Sequence, residues 1–119
     1  MSIDFGKAMG QSADALRLRA ERTKVLASNI ANENTPGYQA RDIDFAALLA
    51  NGDEADGLAL DSGADGLQYR VPHHPSQDGN TVELGVEQAA FAQNAQDFQA
   101  SLTFLNMKLR GLSKAIAGQ

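Results

Sequence analysis

Residues 26–45, LASNIANENTPGYQARDIDF, begin with a helical pattern and end in a turn. Asn29, Asn32 and Asn34 lie directly ahead of the turn sequence TPGY at residues 35–38. Proline in the second position of that turn and glycine in the third favour type II geometry. Asparagine is disfavoured inside a helix but caps its end, so we predict a helix that ends near residue 34. Because Asn29 and Asn32 share one helical face, we expect their amides to bond the turn or a neighbouring segment.

The sequence ahead of the turn has the periodicity of an amphipathic helix. Between residues 3 and 32, apolar or small residues recur mostly at steps of three and four, with charged residues on the opposite face. Leu18 and Val25 lie beside this stripe rather than on it. The stripe itself consists of Phe5, Met9, Ala13, Leu16, Ala20, Thr23, Ala27 and Ile30.

Residues 83–117 carry the most regular pattern in the chain. Apolar residues alternate at steps of four and three over nearly four heptads, which is typical of a coiled-coil face. Phe104 and Met107 lie off this seam, and the spacing of Asn80 and Glu83 predicts a capping box at the helix start. The seam consists of Phe91, Ala95, Phe98, Leu102, Leu105, Leu109, Leu112 and Ile116.

The middle of the chain, residues 35–82, reads as a long connecting loop. It holds all three prolines, and residues 42–69 contain seven acidic side chains and no basic one. We expect one or two helical turns in residues 42–50, with Asp44 as N-cap, and a short strand in residues 67–72. A loop of this length is uncommon inside a compact domain.

Composition excludes several functional classes. The 119-residue chain has a net charge of −5, which disfavours nucleic-acid binding, and it has no cysteine for disulfides or thiolate chemistry. The pair His73–His74 has no third ligand at a supporting spacing, and the sequence from Asp61 fails as a calcium loop because Pro72 occupies its last ligand position. We predict no catalytic, cofactor-binding or metal site. The N-terminus has no secretory signal pattern, and no stretch is apolar over a membrane-spanning length.

These patterns predict a mainly α fold. Two long terminal helices form an antiparallel, coiled-coil-like hairpin, joined by a long irregular loop with a possible short strand. Residues 1–34 and 83–119 then make one axial core domain, and residues 35–82 connect its two halves. Two helices cannot bury all of these apolar positions against each other, so we expect self-association or assembly into a larger helical body.

Residues 26–38, LASNIANENTPGY, resemble the N-terminal signature of the bacterial flagellar axial proteins, which comprise rod, hook and hook-associated proteins. Glu33 departs from it, since a small residue is common there. Residues 40–45 (ARDIDF), residues 78–84 (DGNTVEL) and the lack of a large inserted domain resemble the basal-body rod proteins in particular. The family motif consists of Asn29, Ile30, Ala31, Asn32, Asn34, Thr35, Pro36, Gly37 and Tyr38.

The resemblance implies a structural subunit of the proximal flagellar rod, next to the MS ring, without enzymatic activity or cofactor. It implies export by the flagellar type III apparatus without a cleaved signal peptide, and a place in the periplasmic, torque-transmitting rod. The implied partners are the rod proteins FlgC and FlgF, the adapter FliE, the ring protein FliF and neighbouring copies of the chain. Two alternatives stay open at this point: another short rod protein such as FlgC, and a coiled-coil adaptor or secretion chaperone.

Overall fold

A computed structural model describes residues 5–46 and 67–118 of the chain. Helix α1 spans Phe5–Ala31 and helix α2 spans Leu84–Ala117. Strand β1, Arg41–Ile43, follows α1, and strand β2, Leu67–Tyr69, precedes α2. The molecule is elongated, with extents of 64 × 27 × 19 Å. The predicted mainly α architecture is confirmed.

The two helices pack antiparallel. Asn29, near the end of α1, bonds Glu87 at the start of α2. At the other end of the pair, Lys108 Nζ donates to Ser12 Oγ at 3.2 Å. The end of α1 and the start of α2 therefore meet at one end of the hairpin, the closed end, and the start of α1 and the end of α2 lie at the opposite, open end. The predicted helical hairpin is confirmed.

The packed face of α1 is rotated from the predicted stripe. Leu18 and Leu26 are fully buried, although Leu18 lay beside that stripe, whereas Ala13, Ala20 and Ala27 on it are exposed. The stripe was wrong at these three alanines, whereas its members Met9, Leu16, Thr23 and Ile30 are half-buried. The packed face also contains polar side chains, which are held in hydrogen bonds and ion pairs described below.

The predicted seam of α2 is only partly covered by α1. Four of its residues are half-buried, namely Phe98, Leu102, Leu105 and Leu112. The other four are exposed, namely Phe91, Ala95, Leu109 and Ile116. In their place, the fully buried side chains of α2 are Glu87 and Asn94, which are seven residues apart. Glu87 and Asn94 each lie one residue before a position of the seam pattern, so the contact of α2 with α1 begins beside the apolar seam rather than on it.

A two-stranded antiparallel sheet links the connecting segments. Arg41 pairs with Tyr69 and Ile43 with Leu67, so the strand predicted within residues 67–72 is confirmed. Residues 45–46 are helical directly after Asp44, as the N-cap predicted at Asp44 requires, and the rest of the helical turns predicted up to residue 50 lies outside the described residues. The predicted acidic loop of residues 51–66 lies outside the described residues.

The helix ends differ in part from their predicted form. Glu83 is the N-cap of α2, in extended conformation and without a side-chain capping bond, so the predicted capping box is wrong. At the other end, Gly118 is left-handed at φ 72°, and its N–H bonds the carbonyls of the last turn. Among residues 5–46 and 67–118, neither helix is apolar enough over a sufficient length to cross a membrane.

Candidate functional site: a polar clasp joining the two helices

Five polar side chains meet where α1, α2 and the two-stranded sheet converge. We call this group the polar clasp; it consists of Arg22, Asn29, Asp42, Arg70 and Glu87. Two members come from α1, one from β1, one from the residue after β2 and one from the first turn of α2. The clasp thus ties together segments that are far apart in sequence.

Asn29 is the centre of the clasp. Its side chain is fully buried, and its Nδ2 donates to Glu87 Oε2 at 2.9 Å and to the Arg41 carbonyl at 2.7 Å. Its Oδ1 accepts from the Arg41 N–H at 3.1 Å and from the Tyr38 hydroxyl at 3.3 Å. The amide therefore pairs with the outer edge of β1 as another strand would, while it also holds α2. Every donor and acceptor of this buried side chain is used, as burial requires.

Two arginines neutralise the two carboxylates of the clasp. Arg70 donates from Nη1 to Glu87 Oε1 at 2.5 Å and from Nη2 to Asp42 Oδ2 at 2.7 Å. Arg22 forms a bidentate pair with the same Asp42, at 2.8 and 3.1 Å. Since Glu87 is fully buried, its charge is tolerated only because Arg70 and Asn29 both bond it.

The charges of the clasp shift the pKa values of Asp42 and Arg22. Burial acts to raise the pKa of Asp42, but hydrogen bonds from Arg22, the Ile43 N–H and Arg70 outweigh it, and the pKa is held below its ordinary value. The hydrogen bond to Asp42 raises the pKa of Arg22. Both groups are therefore charged at neutral pH, and the pair holds α1 to β1.

The turn after α1 has the predicted geometry. Gly37 is at φ 74°, and the Tyr38 N–H bonds the Thr35 carbonyl at 3.3 Å, as a type II turn requires. The turn is held against the segment that leads into α2, because the Gly37 N–H donates to the Asp78 carbonyl at 2.9 Å. On the same side, the Thr81 N–H donates to the Tyr38 carbonyl at 2.9 Å.

Asn80 caps the end of α1 from a distance of more than forty residues in sequence. It is 6% exposed, and its Nδ2 lies 2.8–3.0 Å from the carbonyls of Asn32, Glu33 and Thr35. Its Oδ1 accepts from the Val82 N–H at 2.7 Å. The capping residue predicted for α2 therefore serves α1, satisfying carbonyls that a helix end leaves without partners.

The other residues of the family motif lie nearer the surface. Asn32 bonds the Ser28 carbonyl at 2.7 Å and accepts from the Thr35 hydroxyl at 3.0 Å, so this amide stabilises the helix end locally. Ile30 is half-buried. The exposed motif residues are Ala31, Asn34, Thr35, Pro36 and Gly37. Of the three asparagines, only Asn29 reaches α2 through its side chain.

A second polar contact lies further along the helix pair. Asn94 is fully buried, and its Nδ2 donates to the Arg19 carbonyl at 2.9 Å and to Thr23 Oγ1 at 2.8 Å. Arg19 also forms an ion pair with Asp97 at 3.2 Å. Together with Glu87, Asn94 fixes two points of α2 against α1, one helical heptad apart.

Sequence reasoning identified Asn29 but missed the other members of the clasp, Arg22, Asp42, Arg70 and Glu87, and also Asn94. A usable signal was present: Glu87 and Asn94 have heptad spacing, in a helix whose contact face was judged from apolar residues alone. His73 is exposed, and its backbone N–H bonds Glu83 Oε1 at 2.5 Å. Within the described parts of the chain, no group of His, Asp or Glu side chains is arranged to hold a metal ion.

Comparison with known proteins matches the first helix and the turn after it to a family model, and most of the chain to curated relatives. The family model "Flagella basal body rod protein" matches residues 11–39, which include most of α1 and the turn after it. The chain is 44% identical to the flagellar basal body rod protein FlgB of Aeromonas hydrophila, over 100% of this chain and 99% of the relative. The chain belongs to the flagellar basal body rod protein family.

Two further FlgB proteins are similar over most of their length. That of Salmonella typhimurium is 43% identical over 88% of this chain and 89% of the relative. That of Cereibacter sphaeroides is 46% identical over 97% of this chain and 98% of the relative. The sequence-based resemblance to the rod proteins, and within them to FlgB, is confirmed. The family consists of structural proteins of the flagellar basal body, and the chain is one of them.

Proposed function

We propose that the chain is a subunit of the proximal part of the flagellar rod, next to the MS ring, and that it acts by packing rather than by catalysis. Its near full-length similarity to FlgB proteins supports this assignment. The observation that carries the structural part of the proposal is Asn29, which bonds α2 and the backbone of β1 at once.

The polar clasp gives every copy the same shape at the closed end. A rod requires each subunit to present its surfaces at the same angle, because small angular errors add up along an assembly. A buried network with all charges paired has one low-energy arrangement, so it resists bending where the connecting segment leaves the helix pair. We therefore assign the motif residues 29–38 an assembly role, as the part that sets this exit direction.

The exposed apolar side chains of α2 supply the contact surface. Ile116 is 85% exposed, and Phe104, Met107 and Leu109 are exposed as well. A soluble monomer gains nothing from leaving these side chains in water, whereas burial of each stabilises an assembly by about 1.5–3 kcal/mol. We propose that these exposed side chains, on the seam of α2 and beside it, pack in the rod against neighbouring copies and against FlgC, FlgF, FliE and FliF.

The remaining parts of the proposal concern the route and the organisation of the chain. We propose export by the flagellar type III apparatus without a cleaved signal peptide, and a final position in the periplasmic rod, where the subunit transmits torque. Residues 1–34 and 83–119 act as one axial core domain, and residues 35–82 connect its halves. No reaction and no cofactor are assigned.

Genetic replacement tests this function. In a motile bacterium whose native rod gene is deleted, a tagged copy of this chain should restore swimming and co-purify with detergent-washed basal bodies. Leu105→Asp/Leu109→Asp should abolish both, because it places two charges on the seam, while Ala92→Asp/Gln96→Asp, at exposed positions nearer the start of α2, serves as the matched control. If swimming is restored while the tagged chain stays in the soluble fraction and is absent from the basal bodies, the assignment to the rod is refuted.

A further inference from the structure

The side of α2 that faces away from α1 carries an apolar pair surrounded by positive charge. Phe104 is 65% exposed and Met107 is 62% exposed. At about 100° per residue, Lys114 projects from the same side of the helix as Met107. Arg110 flanks this side, whereas Lys108 reaches across to Ser12 of α1, and residues 98–118 contain no acidic side chain. We call Phe104, Met107, Arg110 and Lys114 the outer face of α2.

The opposite, closed end of the molecule is acidic. Residues 25–93 hold eleven acidic and two basic side chains, whereas the rest of the chain holds four acidic and eight basic ones. Since the hairpin is antiparallel, the described part of that acidic stretch, residues 25–46 and 67–93, lies at the closed end. The chain is therefore electrically polar along its 64 Å length.

One cleft at the acidic end has the shape and chemistry to receive the outer face. It has a volume of about 310 Å³ and includes the carboxylates of Glu33, Asp78 and Glu83. Pro75 and Val82 add apolar surface to the same cleft. Glu33 and Asp78 are exposed, so their charges are available to a partner. A hydrogen bond from Ser76 lowers the pKa of Asp78, which keeps this carboxylate ionised.

We infer that the outer face of α2 docks into this acidic cleft of a second copy of the chain. The inference rests on the proposed function, in which copies pack as neighbours, and it names the two surfaces that meet. Charge complementarity decides the occupant: two outer faces brought together would oppose four cations, while an outer face against the cleft places two cations opposite three acidic residues. Such a contact joins two different surfaces, so it leaves one surface of each kind free and allows a chain of copies to grow.

Charge reversal of the outer face tests this contact. Arg110→Glu/Lys114→Glu should weaken self-association of the purified protein by about tenfold, measured by analytical ultracentrifugation. The matched control is Arg17→Glu/Lys24→Glu, which makes the same change of net charge on the exposed side of α1 and should leave association unchanged. Association of the wild type should also fall as salt is raised. A wild type that stays monomeric at every concentration and salt level, or equal loss in both variants, would overturn the inference.

A mixing experiment distinguishes this contact from pairing of like surfaces. Glu33→Lys damages the cleft but leaves the outer face intact, whereas Arg110→Glu/Lys114→Glu does the reverse. At a protein concentration between the dissociation constants of the wild type and of the variants, each variant alone should be mainly monomeric, and an equimolar mixture should form one-to-one dimers that grow no further. Continued monomers in the mixture would refute the head-to-tail contact. Capture of acidic lipid vesicles or DNA by the outer face, in place of a second copy, would also count against it.

The inference and the proposed function fail in different ways. If the wild-type chain co-purifies with basal bodies and Arg110→Glu/Lys114→Glu is incorporated equally well, the rod assignment stands and the docking surface is wrong. If the wild-type chain is absent from basal bodies although its purified form associates through the outer face, the rod assignment is wrong. Incorporation of the wild type and the α1 control, but not of the outer-face variant, supports both.

Discussion

Replacement of Glu87 by alanine should destabilise the closed end of the hairpin more than any surface change. Glu87 is fully buried and accepts hydrogen bonds from Asn29 and Arg70. In Glu87→Ala, Arg70 loses one of its two carboxylate partners, and Nδ2 of Asn29 keeps only the Arg41 carbonyl. The variant therefore leaves a buried cation partly unpaired and a cavity where the side chain lay.

The expected cost follows from the partners that remain. Removal of one partner from a buried ion pair typically costs about 3–5 kcal/mol. Arg70 retains Asp42, and its side chain is 20% exposed, so water reaches part of the guanidinium. We therefore expect the lower end, about 3 kcal/mol. Single domains have about 5–15 kcal/mol of unfolding free energy, so the loss is a large fraction of it.

The chain contains a built-in probe for this measurement. It has no tryptophan and only two tyrosines, and both lie beside the clasp. The Tyr38 hydroxyl bonds Asn29, and Arg41 stacks over the Tyr69 ring at 5.4 Å. Tyrosine fluorescence during urea titration therefore reports unfolding of the closed end, and circular dichroism on the same samples reports the helices. The midpoint for Glu87→Ala should fall without a large change in slope.

Two variants make the result interpretable. Glu21→Ala removes an exposed carboxylate that pairs with Lys24 on the surface of α1, and it should cost under about 0.5 kcal/mol. Glu87→Gln keeps the size of the side chain and an oxygen for Asn29 but loses the charge, so it should lie between the wild type and Glu87→Ala. If Glu87→Ala unfolds within about 1 kcal/mol of the wild type, the clasp does not hold the closed end, and the reasoning fails.

Three further changes probe the same end of the molecule. Asn80→Ala removes the amide that serves three carbonyls after α1, and it should lower unfolding free energy by about 1–3 kcal/mol in thermal or urea melts. Gly37→Ala places a side chain on a residue at φ 74° and should cost about 1–2 kcal/mol by the same melts, while Gly85→Ala in α2 should cost nothing. The pKa of Asp42 is lower in the folded protein than its ordinary value, so its ionised carboxylate stabilises the fold fully above the ordinary carboxyl pKa. This stabilisation is lost as pH falls through the folded pKa. Urea midpoints measured from neutral to acid pH should show the loss, and Asp42→Asn should show less of it.

Each of these predictions has a result that contradicts it. An Asn80→Ala midpoint equal to that of the wild type would mean that water replaces the cap at no cost. A stable Gly37→Ala would show that the turn changes type without disturbing its bonds to Asp78. An acid profile of Asp42→Asn identical to that of the wild type would assign the pH dependence to other carboxylates.

The architecture could be predicted because its signals are local. A turn of proline and glycine ended one periodic segment, and a second periodic segment followed after a loop. Two long helices with apolar residues at steps of three and four have few ways to bury them other than against each other. The short strand before Pro72 was also visible, because a β-favouring run there precedes a residue that ends strands.

The contact faces could not be predicted, because apolar periodicity misses buried polar residues. Leu18 was placed beside the predicted stripe, yet it is buried on the same side of α1 as Arg22 and Asn29. Nothing in the local sequence of α1 shows that Arg22 will find Asp42, twenty residues later, or that Asn29 will find Glu87. The capping box predicted from Asn80 was wrong for the same reason. A capping box is recognised from local spacing, whereas the carbonyls that Asn80 bonds lie 45–48 residues away in sequence.

The polar positions explain how one helix register is selected. An apolar seam with regular heptad spacing is nearly unchanged when one helix slides by seven residues, so the leucines of α2 alone do not define its position on α1. Glu87 and Asn94 are different, because each has partners at a single place: Asn29 and Arg70 for one, the Arg19 carbonyl and Thr23 for the other. A slide by one heptad would bury Glu87 away from Arg70 and leave Asn94 without a matching carbonyl, at a cost that no gained apolar contact offsets. Asn29, a residue of the family motif, fixes the register of the two helices and also fixes where β1 leaves the helix pair. The helix register and the exit direction of β1 therefore cannot vary independently.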